Sequence, residues 1–304
     1  MSLGLAPDGL SRRRFIGAAA GGLFAPFLAP FVRSAEAGPA RKSHLFWVHH
    51  IPKKPFANLL GPNHHTGVDT LLHLMGARKL KFYRTARTDL LGSPKGMIAA
   101  NDVVLIKVNA QWKYRGCTNS DVIRGLIQCI LEHPDGFTGE VVVMENGQGW
   151  GSLRCDTTTR YADESVQANA NKKRHSFDYL VSRVFDEPRV TSYLLDPIRS
   201  ERISSDDHST DGYRILDNVS YPCFTTAGGR RVELREGIWT GDGYSQRLKL
   251  INVPVLKHHD VGGSEITASL KHLYGVLSME DGRYDYRHYD GLGETCGNMV
   301  ARVR

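Results

Sequence analysis

The chain has few cysteines for its length, and none are paired by spacing: Cys117, Cys129, Cys155, Cys223 and Cys296 stand apart, with no CxxC anywhere in 304 residues. That excludes a ferredoxin-type cluster or a zinc ribbon, so no iron–sulfur motif is present. In an oxidising compartment one or two disulfides can form, but the spacing does not pair them. An HExxH helix and a GxSxG elbow are both missing, which leaves metalloprotease and α/β-hydrolase chemistry unsupported. Gly147-Gln148-Gly149-Trp150-Gly151-Ser152 follows a strand-like run, yet Ser152 takes the third glycine position and no helical pattern opens there. A dinucleotide loop is therefore not supported. Basic residues exceed acidic ones by only 39 to 32, with no lysine/arginine stripe interleaved with aromatics, so nucleic acid is not an expected partner. Internal repeats and low-complexity tracts are absent too.

What is present begins at the N-terminus. Ser11-Arg12-Arg13-Arg14-Phe15-Ile16 has the twin-arginine export pattern, followed by a Gly/Ala-rich apolar stretch from Gly17 to Val32 and a small-residue processing site, Ala35-Glu36-Ala37. An uncleaved anchor is the alternative, but the run is short, contains Pro26 and Pro30, and is poor in leucine. The expectation is a signal peptide over residues 1–37, export to the periplasm or beyond by the twin-arginine machinery, and no stable membrane span after processing. Losing four basic and two acidic residues with that segment takes the net charge from +7 to +5.

Residues 38–304 are expected to form a single α/β domain. Leu45–His50 reads as a strand, and Val68–Met75 reads as a helix closed by Gly76. Asp102–Asn109 (DVVLIKVN) is a short apolar strand, Thr118–Asp121 offers capping residues, and Val122–Glu132 carries Val122, Leu126, Ile127, Ile130 and Leu131 at helical spacing. Gly139–Glu145 is a second strand, so the unit is a βαβ crossover whose near-continuous apolar strands predict a mostly parallel sheet with flanking helices. Residues 150–245 are polar and turn-rich, with a helix near Phe177–Phe185 and a hairpin signal at Ala227-Gly228-Gly229; they read as a long irregular insertion on the sheet. Leu248–Leu256 is the next strand, and Ser264–Leu277 is predicted as a helix with Ile266, Leu270, Leu273 and Leu277 on one stripe. The chain stops in a strand-like stretch, Met299–Arg304, with the expectation that more sequence follows.

The chemistry-bearing residues gather at strand ends. In an open α/β sheet, ligands bind beyond the carboxyl ends of the strands. Alternation puts Val103, Leu105, Lys107 and Asn109 on one face of the first strand, and Ile251, Val253, Val255 and Lys257 on one face of the later one, with His258 on the other. Gly262-Gly263-Ser264 precedes the expected helix, where bare N–H groups and the helix dipole suit an anion. Ser264, Thr267 and Lys271 would share a helical face, with His272 pointing elsewhere. The expected site is thus an anion crevice in which Lys107, Asn109, Asn252, Gly262, Gly263 and Ser264 bind a phosphate or carboxylate and Lys257, His258 and Lys271 act on it. A snorkelling lysine and a plain glycine turn are the alternatives. A metal held by His258, His259 and His288 remains open, although adjacent histidines on an extended chain diverge and supply one ligand at most.

VLIKVN at 104–109, TNSDVIRGLI at 118–127, VVVMENG at 141–147, and above all LINVPVLKHH with TASLKHLYGVLS resemble domain of unknown function family 362 over residues 100–280. Lys107 and Asn109 match its first motif, Thr118 its helix cap, Asn252, Lys257 and His258 its second, and Lys271 and Gly275 its third. Val108 stands in place of a proline and His272 in place of an asparagine, and the cysteine-rich segment of many relatives is missing. The resemblance implies a location for the site more than a reaction. Three readings follow: an exported enzyme or cofactor-dependent protein binding an anionic small molecule; a non-catalytic periplasmic binding or scaffold protein with internal lysine ion pairs; and, by analogy to nickel-pincer racemases, a metal-dependent isomerase.

Overall fold

A computed structural model describes residues 44–51, 60–147, 152–156, 166–216, 219–258, 266–267 and 272–276. Its centre is a parallel sheet built from Val103–Lys107 (β4), Glu140–Glu145 (β5), Val190–Leu194 (β6) and Leu248–Asn252 (β12), in the order β12-β4-β5-β6. Every residue of β4 and β5 is buried. Such strands, with uninterrupted apolar, largely β-branched centres, are stable only when both faces are covered.

Helices cover one face. Thr66–Ala77 (α1) and Ser120–Leu131 (α2) pack against each other, and α2 makes the crossover from β4 to β5. Asn119 caps α2 by accepting from the Val122 N–H at 3.1 Å, and Asp121 sits in the first turn, where the helix dipole favours negative charge. Ile123, Leu126, Ile127 and Ile130 of α2 meet Val104, Ile106, Val141 and Val143 of the sheet in one core. Each such side chain contributes roughly 1.5–3 kcal/mol by burial. Phe177–Tyr179 (α3) runs into a π-helical turn at Leu180–Phe185 and adds Phe177 and Leu180 to the same core.

The other face is covered by a second sheet. Gly212–Leu216 (β7), Val219–Thr225 (β8), Arg231–Glu233 (β9), Gly237–Trp239 (β10) and Tyr244–Ser245 (β11) form an antiparallel sheet in the order β11-β10-β9-β8-β7. Tyr213, Phe224, Val232 and Ile238 from this sheet pack on Val103, Leu105, Val142 and Met144. The architecture is therefore mixed α/β. The stretch expected as an irregular insertion supplies both β6 of the main sheet and this covering layer. Glu140 ties the two together, accepting from Thr191 Oγ1 at 2.6 Å, Thr226 Oγ1 at 2.7 Å and the Gly228 N–H at 3.1 Å. Three two-residue strands, Tyr83–Arg84 (β1), Gly92–Ser93 (β2) and Ile98–Ala99 (β3), form a small separate parallel sheet.

Several expectations give way. Residues 44–51 carry no strand, and Leu45 and Trp47 are exposed, so no buried face rewards extension there. The strand expected to reach Leu256 stops at Asn252, because Pro254 has no N–H to donate and the last ladder bond is Val253 N–H to Lys107 O at 2.9 Å. The alternation that put Lys257 on the face of Ile251 ends with it. The helix expected from Ser264 is not what Ile266 and Thr267 form: they are a strand (β14) paired antiparallel with Lys257–His258 (β13), Lys257 opposite Thr267 and His258 opposite Ile266. Two consecutive β-branched residues favour extension over helix. Helical turns are described only at His272–Val276.

Candidate functional site

The carboxyl ends of three adjacent strands bring one polar side chain each to the same place. Asn252 ends β12, Lys107 ends β4 directly opposite it, and Glu145 ends β5. Lys107 and Glu145 form an ion pair with 1% and 3% of their side chains exposed. Three acceptors surround the ammonium: Glu145 Oε1, Val108 O at 2.7 Å and His272 Nε2 at 3.2 Å. An ammonium has three N–H groups and no lone pair. Its donors are therefore matched by internal partners.

The proton positions on His272 follow from this. Because Lys107 can only donate, His272 Nε2 accepts, so Nδ1 carries the hydrogen and donates to Asn252 Oδ1 at 2.5 Å. Burial, with the Lys107 charge beside it, pushes His272 down to about 2, and the ring stays neutral. Burial also lowers Lys107 and raises Glu145, each opposed by the other's charge. The carboxylate is held further by the Ala110 N–H on Oε2 at 2.5 Å and the Asn146 N–H on Oε1 at 2.8 Å. Next along the sheet end, Asp196 follows β6 and accepts from the Gly147 N–H at 2.7 Å. Gly275 closes the group from above: a Cβ there would stand 3.2 Å from both Asn146 O and Lys107 Nζ.

A second layer fixes the loop after β4. Thr118 Oγ1 donates to Val253 O at 2.8 Å and accepts from the Asn109 N–H at 2.9 Å, which clamps the ends of β4 and β12 together. Asn109 Oδ1 is buried and has no hydrogen-bond partner among the described residues. Lys257 donates to Gly116 O at 2.8 Å and stands over the Trp112 ring, 5.7 Å from its centroid. Beside it the Cys117 and Cys155 thiols meet; that contact, with the nearby Lys257 charge assisting, lowers Cys117, and the same contact together with burial raises Cys155. Cys117, Cys129, Cys155 and Cys223 are all free thiols.

Of the residues singled out by sequence, the structure brings Lys107, Asn252 and Gly275 into one group, with Asn109 and Thr118 beside it and Lys257 near the loop. His258 lies on β13, while His259, Gly262, Gly263, Ser264, Lys271 and His288 lie outside the described residues. The anion role of the glycines rested on a helix start, and the strand at Ile266–Thr267 removes that premise. His272, expected to point away, is the residue that reaches Lys107. The sequence marks Glu145 only as a strand residue; its signal is a carboxylate closing the apolar run VVVM. In the covering sheet, buried Glu233 gathers Arg214 Nη1 at 2.5 Å, His208 Nδ1 at 2.7 Å and the Tyr244 hydroxyl, with His208 stacked on Trp239. Among the described residues no helix is long and apolar enough to cross a membrane. Comparison with family models, with curated proteins and with solved structures returns no match to this chain.

Proposed function

We propose that the chain is an exported enzyme or cofactor-dependent protein that binds an anionic group, phosphate or carboxylate, beyond the carboxyl ends of its parallel strands. The observation that carries this reading is the buried Lys107–Glu145–His272–Asn252 group at three adjacent strand ends. Taking two charges out of water gives little net stability, so a buried pair is weak as a fold device. A pair with both partners shifted by burial, placed where α/β sheets hold their ligands, is characteristic of functional sites. In this reading the pair supplies a fixed field and rigid strand ends. Lys257 is the contacting cation, His258 the proton-transfer group, and the unpartnered Asn109 carbonyl oxygen a position for a ligand donor. The resemblance to domain of unknown function family 362 supports the same location, since Lys107, Asn252 and Gly275 come from all three of its motifs.

The test is a thermal-shift screen of residues 38–304 against inorganic phosphate, phosphate esters, carboxylates and divalent metals. An anion is expected to raise the melting temperature, and Lys257→Ala to remove most of that rise. A flat response to every anion, or an undiminished rise in Lys257→Ala, refutes the reading. One observation favours a second, non-catalytic scaffold role: the Lys107 ammonium is matched internally. Elemental analysis of protein exported by its own host, combined with the same screen, separates the two, because a scaffold carries neither cofactor nor ligand response.

A further inference from the structure

A different cluster lies where α1 packs on α2. The two helices approach closely because Gly125 faces the start of α1: a Cβ at Gly125 would fall 2.4 Å from the Cβ of His65. The adjacent histidines then part. His65 accepts from the Val68 N–H at 3.3 Å as the cap of α1, and His64 turns inward to be 5% exposed. His64 Nδ1 stands 3.1 Å from Asp69 Oδ1, and Cys129 Sγ stands 3.5 Å from the same oxygen. The ligand atoms of His64, Asp69 and Cys129 all lie within 4.8 Å of one another. On the far side of the ring, Nε2 is 2.9 Å from Glu132 Oε2.

We propose that His64 Nδ1, Asp69 and Cys129 Sγ form a binding site for a borderline divalent cation of the zinc type, with Glu132 orienting the imidazole. Zinc bonds of about 2.0–2.3 Å in a tetrahedron put neighbouring ligand atoms roughly 3.3–3.6 Å apart, close to the 3.1 and 3.5 Å that separate His64 and Cys129 from Asp69 Oδ1. An imidazole, a thiolate and a carboxylate suit zinc in softness and in charge, and three protein ligands leave one position open. The Glu132 carboxylate on the second ring nitrogen reproduces the carboxylate–histidine–metal relay that fixes a ligand's tautomer.

Binding one ion releases the Cys129 thiol proton, and also the Nδ1 proton where His64 is charged, while Nε2–H stays on Glu132.

This site stands apart from the one at the sheet end. Residues 118–120 abut the strand ends, whereas Cys129 is nine residues further along α2, roughly 13 Å at 1.5 Å per residue. It also differs from the histidine set His258, His259 and His288 expected from the sequence.

The experiment uses the full chain, stripped with a chelator and titrated with zinc chloride against a chromophoric competitor. One equivalent per chain is expected, with a rise in melting temperature. Cys129→Ser and His64→Gln should lose that equivalent, and Glu132→Gln should keep it with affinity weaker by about tenfold or more. Cobalt(II) loaded into the unaltered chain should show thiolate-to-metal charge-transfer absorption, a readout that does not depend on any variant folding. No zinc equivalent, a cobalt spectrum without the thiolate band, or uptake that survives Cys129→Ser but is lost in the His258→Gln/His288→Gln double variant would overturn the assignment. Failure here leaves the anion reading untouched, since that is probed by phosphates, carboxylates and Lys257→Ala.

Discussion

Replacing Lys107 with methionine keeps the apolar stem in place and deletes only the ammonium. Glu145 then keeps the two N–H groups of Ala110 and Asn146 but loses its countercharge, at a side chain only 3% exposed, while Val108 O and His272 Nε2 each lose a donor. Breaking one side of a buried pair costs about 3–5 kcal/mol. In a chain of this size each kcal/mol lowers the melting temperature by roughly 2–4 °C, so a fall of roughly 10 °C is expected. Glu145→Gln strands the ammonium instead but keeps an acceptor oxygen, which puts it at the lower end of that range. Lys107→Met/Glu145→Gln buries no charge and should be less destabilised than the sum of the singles, by about 2 kcal/mol or more. Urea unfolding of all four proteins at pH 7, with equal m-values, measures the cycle. Additivity within about 0.5 kcal/mol would show that the two groups do not depend on each other and would refute the description of the site.

Two further outcomes follow from the same group. His272 is pushed down to about 2 when folded, below the ordinary 6.5, so as pH falls under about 6.5 the unfolded chain takes up a proton that the folded chain refuses. Its contribution to stability is lost by about 1.4 kcal/mol per pH unit between those values; His272→Gln should remove that slope, and a wild-type-minus-variant difference that is the same at pH 7 and pH 5 counts against it. Gly275→Ala places a Cβ 3.2 Å from Asn146 O and from Lys107 Nζ. A cost of about 1–3 kcal/mol is expected from the crowding, together with a smaller anion-dependent thermal shift than the unaltered chain gives.

The parts of this fold that were legible in the sequence are the parts written locally. DVVLIKVN, the capped helix after it and GEVVVME carry their period and their caps within about 45 residues, and the parallel βαβ unit follows from them. Lys107 is legible as a polar residue at the tip of an apolar strand, whereas Asn252 lies within the strand expected over Leu248–Leu256 and is marked only by the family resemblance. The partners are not legible. Glu145 pairs with Lys107 across 38 positions and His272 reaches it across 165, and no local period encodes either contact. The sequence points His272 the wrong way for a definite reason: its direction depends on a helix running through Ile266 and Thr267, which instead extend and pair with Lys257–His258. Of the covering sheet, the hairpin signal at Ala227-Gly228-Gly229 marks the β8–β9 turn, but the sheet as a whole is not legible because its strands run only two to seven residues, separated by polar turns. The cluster of His64 and Cys129 depends on two helices meeting, and only Gly125, an unremarked glycine in α2, hints at how closely.

The strand order β12-β4-β5-β6 also bears on how the chain reaches this state. β4, β5 and β6 follow one another in sequence and can zip together as a local unit, but the strand on the far side of β4 arrives only with Leu248–Asn252, more than 140 residues after Val103. Until then β4 presents VVLIK, five residues that end up wholly buried, as a bare edge with open N–H and C=O groups. An edge of that kind, apolar over its first four residues with one lysine at its end, recruits strands from other molecules. A chain cut short before Leu248, by truncation or by proteolysis, therefore loses more than a segment: it becomes a template for its own aggregation.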